Sequence, residues 1–126
     1  MLLAVAVGGA LGAVLRQLTL LSLAGRGRVP LGVLVVNVVG SFIAGVALGA
    51  PLDPTVQLII VSGLCGGLTT FSTFAVETIQ LVMAGKHRAA LLSVGQNLVF
   101  GIAGALIGLA LGMANGPESL LPLTGE

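Results

Sequence analysis

The sequence predicts an all-α membrane protein of four transmembrane helices, and three observations carry that fold class. Hydrophobic residues make up 56% of the 126-residue chain and charged residues only 7%, with a mean hydropathy of +1.18. That leaves too little polar surface to coat a water-soluble globule. The apolar residues fall in four windows, each reaching the ~20 residues a helix needs to cross a hydrocarbon core. The connections are short: "AGRGRV", "PLDP" and "GKHR" leave no room for a soluble domain. Residues 1–114 therefore read as one transmembrane domain, followed by a flexible tail over 115–126.

The first span runs from Leu2 to Leu23. It lacks a basic leader and is too long for the apolar core of a signal peptide, so it is expected to be retained. Gly8 and Gly12 put a small-residue stripe on one face, and Arg16 is its one charge. The second span, Pro30 to Ala50, carries the stripe Ser41, Gly45 and Gly49, with Asn37 nearer its start. The fourth, Ala89 to Met113, carries Gly104, Gly108 and Gly112. Stripes of this kind let helix backbones approach closely, so a compact bundle or a tight oligomer is expected. "VNVVGSFIAG" and "QNLVFGIAG" give the second and fourth spans a weak internal echo. The tail "ANGPESLLPLTGE" has the Asn, Gly and Pro content of a chain leaving the membrane.

The third span, Thr55 to Ala84, is longer than a straight crossing requires and contains "GLCGGLTTFSTFAVE" from Gly63 to Glu77. Gly66 and Gly67 each lower helix propensity by about 1 kcal/mol relative to Ala. Thr69, Thr70, Ser72 and Thr73 compete for backbone groups. A break near 66–70 is expected, close to the membrane midplane. Non-helical backbone is tolerated there only where its polar groups are satisfied, and carbonyl oxygens suit a hard cation such as Na⁺. Phe71 and Phe74 share a face just beyond. Their positive ring edges suit weak contact with an anion, although the same spacing also serves ordinary packing. Cys65 is the only cysteine, which rules out an intrachain disulfide and reads as a small buried side chain.

Charge sets an expected orientation. With four spans, the first and third loops lie on one side and hold Arg26, Arg28, Lys86 and Arg88. The other side holds Asp53, Glu118 and Glu126 without a Lys or Arg. The positive-inside rule places the basic loops in the cytoplasm. A net charge of +1 with no basic run argues against a nucleic-acid partner. Counted inward from the basic loops, Arg16, Asn37, Glu77 and Asn97 all fall about 10 Å deep at 1.5 Å per helical residue. They form an expected polar layer. Arg16 and Glu77 are costly to bury singly, which favours an ion pair or a shared wet vestibule. Asn37 and Ser41 share a face of the second span, as do Ser93, Asn97 and Gly101 of the fourth, a candidate track of polar groups.

Three segments resemble the Fluc (CrcB) family of fluoride channels: "GGALGAVLR" at Gly8 to Arg16, "PLGVLVVNVVGSFIAG" at Pro30 to Gly45, and "GLCGGLTTFSTF" at Gly63 to Phe74. They cover about 37 of the 126 residues in the expected order, and the third is the most specific. The resemblance implies an antiparallel dimer with two fluoride pores along the subunit interface. It implies that Asn37, Phe71, Ser72, Thr73 and Phe74 line a pore, to which the shared helix faces add Ser41, Ser93 and Asn97 as candidate lining. It also implies that the carbonyls of Gly66 and Thr69 from both subunits hold a structural Na⁺ at the dimer centre, and it matches Arg16 and Glu77 to charged family positions.

The chain departs from the family pattern in three ways. Val33 stands where a Thr is common, and the fourth span lacks the longer hydroxyl or tyrosine track. The loop charges are too asymmetric for a dual-topology homodimer, so an oppositely oriented paralogue is an alternative second subunit. Passive fluoride export is the function this implies, in the plasma membrane of a prokaryote. Two rivals remain open: a four-span proton-coupled multidrug exporter and a non-conducting assembly subunit. The first normally needs an intramembrane acid in its substrate cavity and Trp or Tyr; the first span has no acid, and Trp and Tyr are absent. No catalytic constellation is present to suggest an enzyme.

Overall fold

The computed structural model describes residues 1–25 and 30–115. The Arg26 and Arg28 expectation, Glu118, Glu126 and the tail from 116 onward lie outside the described residues. The helices are α1 (Leu2–Ser22), α2 (Leu31–Gly49), α3 (Pro54–Leu58), a π-helical stretch (Ile59–Cys65), α4 (Gly66–Leu68), α5 (Phe71–Met83) and α6 (His87–Ala114). Four units are long and apolar enough to cross a membrane: α1, α2, the composite span Pro54–Met83 and α6.

Their ends follow from local chemistry. The third span starts where Asp53 accepts the Thr55 N–H at 2.8 Å and Pro54 takes the first turn, a combination suited to a helix start. Gly85, at φ +77°, turns the chain out of α5, a conformation that favours residues without a Cβ. Gln57 Nε2 donates to the Ala47 carbonyl at 3.0 Å and the Ala50 carbonyl at 3.5 Å. This amide satisfies carbonyls that the end of α2 leaves without helical partners.

Packing divides the molecule into two close helix pairs. α2 lies against α6: a Cβ at Gly45 would fall on the Ala105 carbonyl and 2.9 Å from Leu109 N, and one at Gly108 on the Phe42 carbonyl and 3.0 Å from Val46 N. α1 lies against the first half of the third span, where a Cβ at Gly12 would come 2.7 Å from Leu68 N. Gly67 is pressed in the same way on the Gly9 carbonyl. The three glycine stripes thus pack within one chain. Few side chains are buried, Val33 and Val36 most completely, while Leu2, Leu11, Leu18, Leu98 and Leu106 are exposed. Such an outward apolar surface suits hydrocarbon and would associate in water.

The first and third loops share one end of the bundle, because Leu23, Gly25, Pro30, Ala84 and Lys86 line one cavity. The second loop lies at the other end with the close of α6, where Gly112 packs on Val46 and Ala50.

Candidate functional site

The third span is the irregular one. The π-helical stretch widens the helix from Ile59 to Cys65, a feature that often accompanies functional positions. Gly66 and Gly67, expected at the interruption, are helical. The two residues with extended backbone are Thr69 (φ −80°, ψ 156°) and Thr70 (φ −147°, ψ 118°), and the span bends by 26°.

Side chains take over the hydrogen bonds that a continuous helix would have made. The Thr70 N–H, whose helical partner would be the Gly66 carbonyl, donates instead to Asn37 Oδ1 at 2.9 Å. Asn37 Nδ2 donates to the Thr70 carbonyl at 3.3 Å and to Asn97 Oδ1 at 3.1 Å. Asn97 Nδ2 donates to the Ser93 carbonyl at 2.9 Å. Thr70 Oγ1 accepts the Thr73 N–H at 3.1 Å and so starts α5 as its N-cap. Thr69 Oγ1 donates back to the Cys65 carbonyl at 2.9 Å. Gly40 leaves room for the Thr69 methyl, which a Cβ at that position would strike.

Beside this corner is a cavity of about 450 Å³ lined by Asn37, Ser41, Thr69, Thr70, Phe71, Phe74, Val94, Asn97 and Leu98. No charged side chain lines it. Thr70 is buried at 6% exposure, whereas Phe71 is 80% exposed although it sits in the middle of a span. The rings of Phe71 and Phe74 lie 6.1 Å apart at 47°. Ser72 Oγ is 3.4 Å from Thr70 Oγ1. Ser72 and Thr73 are not among the lining residues, and Ser93 is buried and contributes its carbonyl to Asn97.

The expected polar layer is divided. Asn37 and Asn97 meet, but Glu77 lines a separate cavity of about 370 Å³ with Gly25, Gln80 and Lys86 toward the loops. Glu77 Oε2 is buried without a hydrogen-bond partner, so Arg16 does not bridge that oxygen. Gln96 Oε1 is buried and unpartnered too, a group the sequence reading passed over. The dipeptide Gln96–Asn97 held the signal, because adjacent helical residues project about 100° apart and mark two polar faces. Among the described residues there is no group of three or more His, Cys, Asp or Glu side chains that could hold a metal.

Residues 3–109 match the family model described as "CrcB-like protein, Camphor Resistance (CrcB)". The chain belongs to the CrcB family. Among curated CrcB relatives, the "Fluoride-specific ion channel FluC" of Serratia proteamaculans is 42% identical over 112 residues, covering 84% of this chain and 85% of the relative. The protein of the same name from Acinetobacter baumannii (strain AYE) is 41% identical over 118 residues and 90% of each chain. "Fluoride-specific ion channel FluC 1" of Thermobifida fusca is 42% identical over 107 residues, covering 83% and 89%. CrcB proteins so named are channels and not enzymes, in keeping with a site that holds amides, hydroxyls and aromatic rings. The match spans all four transmembrane helices except Leu2 at the start of α1 and residues 110–114 at the end of α6.

Proposed function

We propose that this chain is a subunit of a fluoride-selective channel through which F⁻ leaves the cytoplasm passively and fluoride toxicity is relieved. The observation that carries the reading is the mid-span cavity, which has polar groups and two aromatic rings but no fixed charge. A permeating ion must be bound well enough to enter and weakly enough to leave, and a lysine or arginine there would hold an anion too firmly. Asn37, Ser41, Asn97, Phe71 and Phe74 are among the residues that line the space, and Ser72 and Thr73 follow in the same turn of α5. Weak-acid HF enters from an acidic exterior, dissociates inside, and the anion leaves down its electrochemical gradient. The relatives' printed names support fluoride as the ion.

The assembly belongs to the same reading. A polar cleft beside an 80% exposed mid-span Phe71 is costly against lipid, and a second subunit in antiparallel orientation closes it. That subunit is another copy or an oppositely oriented paralogue. The interrupted third span is the element that brings backbone oxygens to the interface. Thr70 N–H is committed to Asn37, which frees the Gly66 carbonyl from its helical partner. Oxygen donors of this kind fit a hard cation, so Gly66 and Thr69 of both subunits are the residues that would hold a structural Na⁺, joining the subunits by charge.

Fluoride efflux from liposomes reconstituted with the purified chain tests the function. Efflux from the chain alone supports a homodimeric channel; efflux only with an opposite-orientation partner supports the pair; silence in both overturns the channel. A multidrug exporter would instead move organic cations in exchange for protons. The basic loops are proposed to face the cytoplasm of the plasma membrane, with Arg16 and Glu77 toward the vestibule on that side. A reporter fused at the C-terminus is expected to read as external, and a cytoplasmic signal would reverse the assignment.

A further inference from the structure

We infer that Asn37 is a positioning residue: its amide takes the Thr70 N–H that has left its helical partner, meets the Thr70 carbonyl as well, and through Thr70 sets where Phe71 begins α5. The inference rests on the channel reading for its functional consequence but not for its structural one.

Hydrogen-bond capacity is the argument. A primary amide has two N–H donors and one carbonyl acceptor group. Asn37 Nδ2 uses both donors, on the Thr70 carbonyl and on Asn97 Oδ1, and its Oδ1 accepts the Thr70 N–H. No donor is left to turn toward the cavity. Asn37 therefore meets Thr70 as a second peptide group would, pairing its N–H and C=O together. Asn97 fixes the sense of that pairing. Its Oδ1 takes the second Asn37 donor, and its Nδ2 is oriented by the Ser93 carbonyl, so a flip of Asn97 breaks two bonds and a flip of Asn37 three. Asn97 retains one N–H beyond the bond to Ser93, and it lines the cavity. Of the two amides, the one with a donor left for an anion is on α6, and the one that shapes the space is on α2. Thr70 passes the constraint on through Oγ1, which accepts the Thr73 N–H in the first turn of α5.

The test uses full-length Asn37→Ala and Asn97→Ala in two measurements. Hydrogen exchange over residues 69–73 is followed in detergent without fluoride. Asn37→Ala is expected to speed exchange there by about tenfold, and Asn97→Ala, which removes one of the three bonds of Asn37, by less. An anion ligand with no positioning role would leave exchange in fluoride-free protein unchanged, and that result overturns the inference. Fluoride and chloride efflux from liposomes is the second measurement. Both variants are expected to lose discrimination against chloride as well as fluoride rate; faster exchange with unaltered discrimination also overturns it. If Asn37→Ala does not assemble, Asn97→Ala carries both measurements. A wild-type chain that passes no fluoride refutes the channel reading, while the exchange result still decides the role of Asn37 at Thr70.

Discussion

Gly45→Ala and Gly108→Ala are each expected to prevent recovery of a folded, monodisperse protein, the largest effects foreseen for single methyl groups in this chain. At both positions the added carbon meets backbone on the facing helix: the Ala105 carbonyl and Leu109 N for residue 45, the Phe42 carbonyl and Val46 N for residue 108. Backbone cannot swing aside as a side chain does, so α2 and α6 must separate. Overpacking in a deformable core costs about 1–3 kcal/mol, and separating this pair loses dispersion contacts along both helices as well, so the top of that range or beyond is expected. Size-exclusion chromatography and thermal melting in detergent read the outcome. Gly95→Ala, also in α6, is the control, because nothing lies within 4 Å of its Cβ. That change is expected to leave the elution profile intact and to raise helix propensity slightly. Equal behaviour of all three variants would remove helix contact as the reason for these glycines.

Phe71→Ile and Phe74→Ile are expected to reduce fluoride efflux by at least about tenfold each while the protein elutes as wild type. A tenfold change in rate corresponds to about 1.4 kcal/mol, the scale on which a ring edge interacts with a neighbouring group. Isoleucine keeps bulk and hydrophobicity but has no positive edge to offer. Phe71 is 80% exposed in the isolated chain, so replacing it opens no void within the chain, and wild-type elution separates a loss of flux from a loss of assembly. Phe74 is half-buried beside it, which makes elution the necessary companion measurement for that variant. Unchanged efflux in both variants would take the aromatic rings out of permeation.

The number of helices, their approximate limits and the clustering of polar groups in "GLTTFSTF" are legible from composition and spacing alone. Four apolar windows separated by short polar connections allow few other readings, and Asn37, Phe71 and Phe74 stand out because nothing near them demands their chemistry. Three features were not legible in the same way. A π-helical stretch leaves no hydrophobic period of its own, so Ile59–Cys65 reads as ordinary helix. The expected interval of 66–70 contains the residues that leave the helix, but propensity alone does not say which of its members they are. In the fold Gly66 and Gly67 remain helical, Gly67 against the α1 backbone, and the extended residues are Thr69 and Thr70, where Asn37 offers a competing partner. That competition crosses 33 residues of chain and no local pattern encodes it. Depth along a span also says nothing about rotation around it. Counted along their spans, Arg16, Asn37, Glu77 and Asn97 are expected at one level, yet Asn37 and Asn97 meet while Glu77 lines another cavity.

The intrachain use of the glycine stripes bears on how such a sequence can change over generations. Because small residues on α1, α2, the third span and α6 are already pressed against backbone inside the chain, any neighbouring subunit or lipid meets mainly outward leucines, valines and phenylalanines. Those outward positions, Phe71 apart, are free to drift, trading one bulky apolar side chain for another as membranes and partner subunits diverge. Gly12, Gly45, Gly49, Gly67, Gly108 and Gly112 are not, since each admits only hydrogen where a helix crosses. Descendants of this chain can therefore acquire new partners without acquiring a new fold.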